Sequence, residues 1–471
     1  MHLEGNKRWW VFSVLCLGDL MVVLDMTVVN VALPSIKTGL GFTPSSLVWV
    51  VNAYLLTYGG FLLLGGRLGD IFGQRRLFLV GLTIFTLASL ACGFSQTQTM
   101  LILARCVQGI GGAIVSAIAF SLVINIFTDQ DERARALGIF GFIMAGGGSI
   151  GVLLGGFLTE INWHLNFLIN IPIGIGVFIA TFYLLPLMHT DSDRKGIDIW
   201  GVLLVTSSLI LVNYTIVEGN DAGWLTLHTL SLFGSALILF ITFLFVETKV
   251  CAPLIPLSLF KMRNLSVASV IGVLWAAAMF AFFFLSALYL QTILGYGPQE
   301  VGLAFLPTNI IMAIFSVWLS AKLVIRFGIR KPIFIGLGLA ALSMLLFARA
   351  PIDGMYWLDV FPSMMLLGLG AGMAFNPVLL AAMDGVPEDE SGLASGVVNT
   401  AFMMGGSIGL AVLASAAAAR TLGLIQNGVD QIVALNSGYH TAFLIGALFA
   451  ALGACGGFFL RETSSPSAHI G

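Results

Sequence analysis

The stretch LGDLMVVLDMTVVNVALP, residues 17–34, carries two carboxylates, Asp19 and Asp25, in an otherwise apolar run. An acid inside hydrocarbon is costly and persists where it faces a partner or a polar cavity. Low dielectric favours its neutral form, so such an acid can exchange a proton as its surroundings change, and it also attracts cations. Helix geometry puts Asp19 about 120° around the axis from Asp25 and about 9 Å along it. The two acids therefore face different neighbours. Asp25 suits proton coupling; Asp19 lines a cavity, pairs with another helix or adds a second protonation site. A third chemical group is Arg105, in LARCVQGIGGA at residues 103–113. A guanidinium among apolar residues needs a counter-charge or a wet cavity, and Gln108, nearly one turn on, can share its network. An acid facing Arg105 would be held charged, and protonating it would release the arginine. The plainer reading, groups that only fix packing, stays open from these residues alone.

The elements that must position these groups are membrane helices. The 471-residue chain is 58% hydrophobic and 9% charged, with a mean hydropathy of +1.00, whereas a soluble domain is roughly a quarter charged. Apolar runs near the roughly twenty residues needed to cross a bilayer recur from end to end, which excludes a soluble all-α protein. The net charge of −2 offers no field for nucleic acid. Cys16, Cys92, Cys106, Cys251 and Cys455 are scattered without metal-ligand spacing. No small-residue cleavage site follows the first apolar run, so it is expected to be a retained helix.

About fourteen spans satisfy the length criterion. They begin near Trp9, Leu47, Leu77, Met100, Arg135, Leu165, Ile199, Leu227, Leu265, Val301, Lys331, Trp357, Gly392 and His440. Polar stretches at residues 188–198 and 247–264 divide them six, two and six. The expectation is an all-α integral membrane protein. A six-helix bundle occupies 1–187, two additional helices occupy 188–250, and a second six-helix bundle with a short tail occupies 251–471. With the N-terminus cytoplasmic, only Lys37, Arg349 and Arg420 fall in outer loops. That bias puts both termini inside.

The halves echo one another. GGRLGDIFGQRR, residues 65–76, and SAKLVIRFGIRK, residues 320–331, each follow the second span of their half. Repeated halves that rock about a midplane site are a transporter design. In the first copy, Asp70 in a Gly-rich turn beside Arg75 and Arg76 can form ion pairs that lock one state. Residues 141–156, GFIMAGGGSIGVLLGG, make a flat small-residue helix face suited to close packing, a seal or a pivot.

Taken together, LDMTVVNVALP, GGRLGDIFGQRR, LARCVQGIGGA, the Gly-rich fifth span and NFLINIPIG (166–174) resemble the major facilitator superfamily, most closely its fourteen-span drug:proton antiporter family. The likeness continues in PLIPLSLFKMRN, YLQTILGYGPQEVGLAFLP (289–307) and SGLASGVVNTAFMMGGSIGLAV (391–412), so it covers nearly the whole chain in order. The resemblance implies that Asp25 is the first-helix acid of proton coupling and Arg105 the arginine of the proton relay. It makes Gly66, Asp70, Gly73, Arg75 and Arg76 the gating loop, whose Asp meets a helix N-terminus of the other half. Gly147, Gly151, Gly155 and Gly156 match the antiporter motif associated with export. Some positions depart from the pattern: Val152 stands where Pro is usual, Ile71 and Gln74 where basic residues are common, His164 within a tract usually reading Trp-Arg-Trp, and Phe402 where Arg is frequent. Asp19 belongs to no motif of the family.

The function expected is proton-coupled export of amphipathic drugs or metabolites by alternating access, with lipophilic cations favoured because the unmatched core charges are acidic. The alternatives are an importer or symporter, or a dedicated exporter of one metabolite, on the same fold. A membrane sensor or enzyme is disfavoured by the lack of a nucleotide loop, a metal constellation or a Ser-His-Asp arrangement. No cofactor is expected; the partners are lipid, protons and a small molecule, with oligomeric state left open and a monomer compatible. Polar candidates for a substrate cavity are Asn30, Gln108, Tyr289, Gln291 and Asn399. The aromatic stripe at 279–291 either contributes adaptable apolar contacts or faces lipid. The expected location is a bacterial-type inner membrane.

Overall fold

The computed structural model describes residues 6–127, 129–185, 198–250, 253, 255, 257–387 and 391–461, and among them there is no strand. The chain runs through α1 (Asn6–Leu40), α2 (Trp49–Phe72), α3 (Gln74–Gly93), α4 (Gln98–Ile126) and α5 (Gln130–Ile161). Next come α6 (Leu165–Leu184), α7 (Ile199–Ala222), α8 (Leu227–Lys249), α9 (Arg263–Leu288) and α10 (Pro298–Ile314). The last helices are α11 (Arg330–Phe347), α12 (Phe361–Met383), α13 (Ser391–Gln426) and α14 (Gln431–Gly456). Among the described residues, thirteen helices are long and apolar enough to cross a membrane. The fourteenth expected span is α10, which continues through a π turn, Phe315–Leu319, into the helix Ser320–Phe327.

Helix ends follow side-chain chemistry. Thr97 accepts from the Met100 amide at 3.2 Å, and Asp198 from the Gly201 amide at 2.7 Å, each satisfying an orphan donor of the first turn. Asp430 caps α14 through the Ile432 and Val433 amides, so this helix starts well before the expected His440. The echo between halves has a backbone counterpart. Gly73 ends α2 at φ 93° and Gly328 ends the helix Ser320–Phe327 at φ 74°. Both lie in Phe-Gly-x-Arg, at a left-handed turn that only glycine takes without strain.

The main surfaces joining the halves are α2 on α13 and α5 on α10, with smaller contacts of α1 on α9 and α10. The additional helix α7 packs on α8 and also touches both α2 and α13. A polar seam runs through that junction. Asn52 of α2 donates its amide to Asn213 Oδ1 of α7 and to the Ser407 carbonyl of α13, both at 3.0 Å, and Asn220 of α7 donates to the Ser415 carbonyl at 2.7 Å. By contrast, α8 leaves Leu230, Leu237, Ile238, Ile241 and Phe245 exposed. An apolar face of this kind suits lipid, where every backbone group is already satisfied within the helix.

Candidate functional site

Asp25 sits in the middle of α1 and is 1% exposed. Its carboxylate receives Arg105 Nη1 of α4, Gln108 Nε2 at 2.7 Å and Asn170 Nδ2 of α6 at 2.9 Å. Arg105, equally buried, also donates Nε to the Val50 carbonyl at 3.0 Å and Nη1 to Gln108 Oε1 at 2.8 Å. Its guanidinium lies 4.3 Å from the Tyr54 ring centroid and 5.7 Å from that of Phe167. Ser89 of α3 accepts from Gln108 Nε2 at 2.8 Å. A buried charge is tolerable when it is paired and its remaining hydrogen-bonding positions are filled, and five helices contribute to that here. Protonating Asp25 would remove the charge that Arg105 balances, leaving a buried cation held, among the described residues, by the Val50 carbonyl, the Gln108 amide oxygen and two π faces. The network is a place where one proton has a large electrostatic consequence.

Spacing along α4 brings Arg105 and Gln108 to the same acid, since positions three apart share a helix face. The glycines that follow let the helices close in. A Cβ on Gly109 would stand 2.5 Å from the Tyr54 carbonyl, and one on Gly111 would be 2.5 Å from the Phe85 amide. Asn170, Ser89 and Tyr54 were not singled out in the sequence. Asn170 lies in the NFLINIPIG stretch, whose two asparagines in an apolar run were the available signal. Asp19, 6% exposed, is separate from this network and accepts a hydrogen bond from Ser116 of α4.

The expected gating residues sit at the end of α2 and the start of α3. Asp70 lies in the last turns of α2, and its side chain falls outside the described residues. Arg75 donates Nη2 to the Phe182 carbonyl of α6 at 2.6 Å and sits 5.3 Å from that ring's centroid, a contact within its own half. Arg76 is exposed, and a Cβ on Gly66 would meet nothing within 4 Å. Gln74, in place of a basic residue, donates to Ser121 at 2.7 Å.

The α5 glycines divide between two partners. Gly147, Gly151 and Gly155 face α1, where a Cβ on Gly155 would lie 2.8 Å from the Val28 carbonyl. Gly156 faces α10 across the halves, 2.7 Å from the Pro298 carbonyl by the same measure. Val152 turns its carbonyl to Gly302 of α10, 2.9 Å from where a Cβ there would stand.

Of the cavity candidates, Gln108 is consumed by the Asp25 network. Tyr289 is 1% exposed and donates to the Pro351 carbonyl at 2.6 Å, so its hydroxyl is already satisfied inside the C-terminal half. Gln291 donates to the Val31 carbonyl of α1 at 2.9 Å, spanning the halves. Asn30 and Asn399 are half-buried, and Asn399 bonds back to the Ser395 carbonyl. The aromatic stripe of α9 does not face lipid: Phe282 packs on Phe347 and Phe443 at 5.5 and 5.9 Å, and Phe280 reaches Phe402 at 6.0 Å. It is core because α11, α13 and α14 enclose it.

The profile of the Major Facilitator Superfamily matches residues 15–410. The puromycin resistance protein pur8 of Streptomyces alboniger is 34% identical over 94% of this chain and 89% of its own length. The cephamycin export protein CmcT of Amycolatopsis lactamdurans is 34% identical over 87% and 85%. The methylenomycin A resistance protein of Bacillus subtilis is 32% identical over 85% and 86%. Among solved structures, a bacterial homologue of the lysosomal transporter Spinster, inward-facing and unoccupied, superposes with a TM-score of 0.68 at 17% identity, covering 97% of both chains. The xylose transporter XylE of E. coli gives 0.65 at 14% identity over 98% and 99%. With its all-helical fold and these relatives, the chain belongs to the major facilitator superfamily and is a multi-pass membrane transporter.

Proposed function

We propose that this protein is a proton-coupled exporter of amphipathic small molecules, with lipophilic cations favoured, seated in a bacterial-type inner membrane with both termini cytoplasmic. The observation that carries the reading is the buried Asp25–Arg105 pair with its amide donors. In the charged state the pair ties α1 to α4. A proton reaching Asp25 cancels the attraction, and Arg105 must re-pair or shift with its helix. The energy released by a proton moving down its gradient is thereby spent on the position of α4 relative to α1, and a conformational equilibrium responds to such a differential interaction. The α2/α13 and α5/α10 contacts are the surfaces on which the halves would rock. Close approach of Gly156 to Pro298, and of Gln291 to Val31, lies near the helix ends that the charge bias assigns outside. These contacts suit a state closed to the exterior. Export as the direction is supported by the relatives above, a cephamycin export protein and two antibiotic resistance proteins. A dedicated exporter of one natural product is the second reading, favoured by the similarity to a cephamycin export protein.

The test uses purified protein in proteoliposomes with an entrapped pH-sensitive dye, challenged in turn with lipophilic cations, neutral drugs and anions. Substrate-triggered proton movement that disappears in Asp25→Asn is the expected result. Full proton-driven transport in Asp25→Asn would sink the coupling role. Transport of substrate with no proton movement in the wild type would sink the antiport mechanism.

A further inference from the structure

The second buried acid, Asp19, is not used by the Asp25 network. It accepts from Ser116, and among the described residues no Lys, Arg or His stands within ion-pair distance of it. The titratable groups that face it are Cys16 on its own helix and Tyr54 and Tyr58 on α2. The α4 face presents Ser116, the α5 face against α1 presents Gly147, Gly151 and Gly155, and α3 and α6 bring Phe78 and Val177 to the neighbouring Gly18. None of these is a cation. A bare carboxylate charge here would go uncompensated, whereas a proton supplies the compensation and needs no space.

The ground between the two acids is built from phenols. Tyr54 lies under the Arg105 guanidinium, and Tyr58 stacks on Tyr54 with centroids 5.8 Å apart and planes at 16°. The Tyr54 hydroxyl is buried without a hydrogen-bond partner among the described residues, 2.7 Å from where a Cβ on Gly112 would stand. An orphaned buried hydroxyl is costly to keep. It makes sense as a group that takes a hydrogen bond in another protonation state.

From this arrangement we infer that Asp19 is a second proton-carrying acid, so that each transport cycle moves one proton on Asp25 and one on Asp19, with Tyr54 and Tyr58 lying between them. The inference rests on the exchange proposed above, and its signature is charge. When a monovalent cation leaves against a proton on each acid, the cycle carries net positive charge inward. With Asp19 removed and Asp25 kept, the exchange becomes electroneutral.

The experiment follows ethidium export in proteoliposomes at a fixed pH gradient, with membrane potential set by potassium and valinomycin. Wild-type export should accelerate as the compartment corresponding to the cytoplasm is made negative. Asp19→Asn should remain proton-driven but become insensitive to potential, and Asp19→Glu should restore the dependence. Potential-independent export by the wild type overturns the inference without any variant. Full potential dependence in Asp19→Asn overturns it too, as does loss of ethidium binding in that variant with charge movement per cycle unchanged, which would make Asp19 a cation site. Asp25→Asn separates the two claims: if it still couples to protons, or if the wild type does not move ethidium, the proposed function falls with the inference. If coupling is lost in Asp25→Asn while Asp19→Asn behaves as wild type, only the inference falls.

Discussion

Asn170 of α6 donates its side-chain amide to Asp25 Oδ1 at 2.9 Å, which ties a helix outside the α1–α4 pair into the ion pair at the centre of the N-terminal half. Residues 145 apart in sequence meet at one carboxylate. Because hydrogen bonds to a charged group are the stronger kind, Asn170 contributes to holding the Asp25–Arg105 pair in place. Asn170→Leu should lower stability in detergent by about 1.5–3 kcal/mol and weaken substrate-linked proton movement, because the Asp25–Arg105 pair loses the donor that ties it to α6. Thermal unfolding and dye-reported proton movement check both effects. Unchanged proton movement would reduce Asn170 to a packing residue.

Arg105→Ala leaves Asp25 without its counter-charge, and breaking a buried pair on one side costs about 3–5 kcal/mol. Asp25→Asn with Arg105→Gln replaces both charges by amides and should recover most of that loss while leaving proton-driven transport absent. Stability is read from thermal unfolding and coupling from proteoliposome flux. Restored coupling in the double variant would show that neither charge carries the proton step.

At the α5/α10 surface, Gly156→Leu should place side-chain atoms against the Pro298 backbone, where nothing flexible can give way. Overpacking of this kind costs about 1–3 kcal/mol, and its effect should fall on the contact between halves. The expected outcome is normal insertion, weakened transport and greater labelling of a cysteine introduced near Pro298 by a membrane-impermeant thiol reagent. Gly338→Ala, at a position open to 4 Å, is the control and should transport normally.

The seam at α7 gives a prediction about the two additional helices. Asn213→Leu removes the acceptor for Asn52 while leaving Asn52 its bond to the Ser407 carbonyl. The cost should be about 1 kcal/mol. Asn52→Leu strips both cross-links and leaves the Asn213 oxygen its hydrogen bond from Ser407 Oγ. It should slow transport more than Asn213→Leu if α7 steadies the α2/α13 surface during rocking. Flux at matched expression separates the two variants; equal rates would remove α7 from the moving contact.

Composition and run length by themselves determined that the chain is a bundle of membrane helices, because hydrocarbon leaves the backbone no other way to satisfy its polar groups without closing a barrel. The motifs and their order pointed to the superfamily, and the turn glycines Gly73 and Gly328 were marked by the same local string in each half. Arg105 and Gln108 were readable as neighbours because their spacing is a local helical property. Which acid Arg105 meets was not local: Asp25 and Asp19 both lie on α1, and only the depth and rotation of α1 against α4 assign Asp25 to Arg105 and Asp19 to Ser116. The same holds for Asn170, a single amide whose partner is set by the packing of α6, and for Tyr289, whose hydroxyl is taken by a carbonyl that sequence patterns do not display. Helical periodicity gives each side chain a direction. The tertiary packing of one helix on another decides what lies in that direction, and for buried polar groups that choice separates a proton site from a structural hydrogen bond.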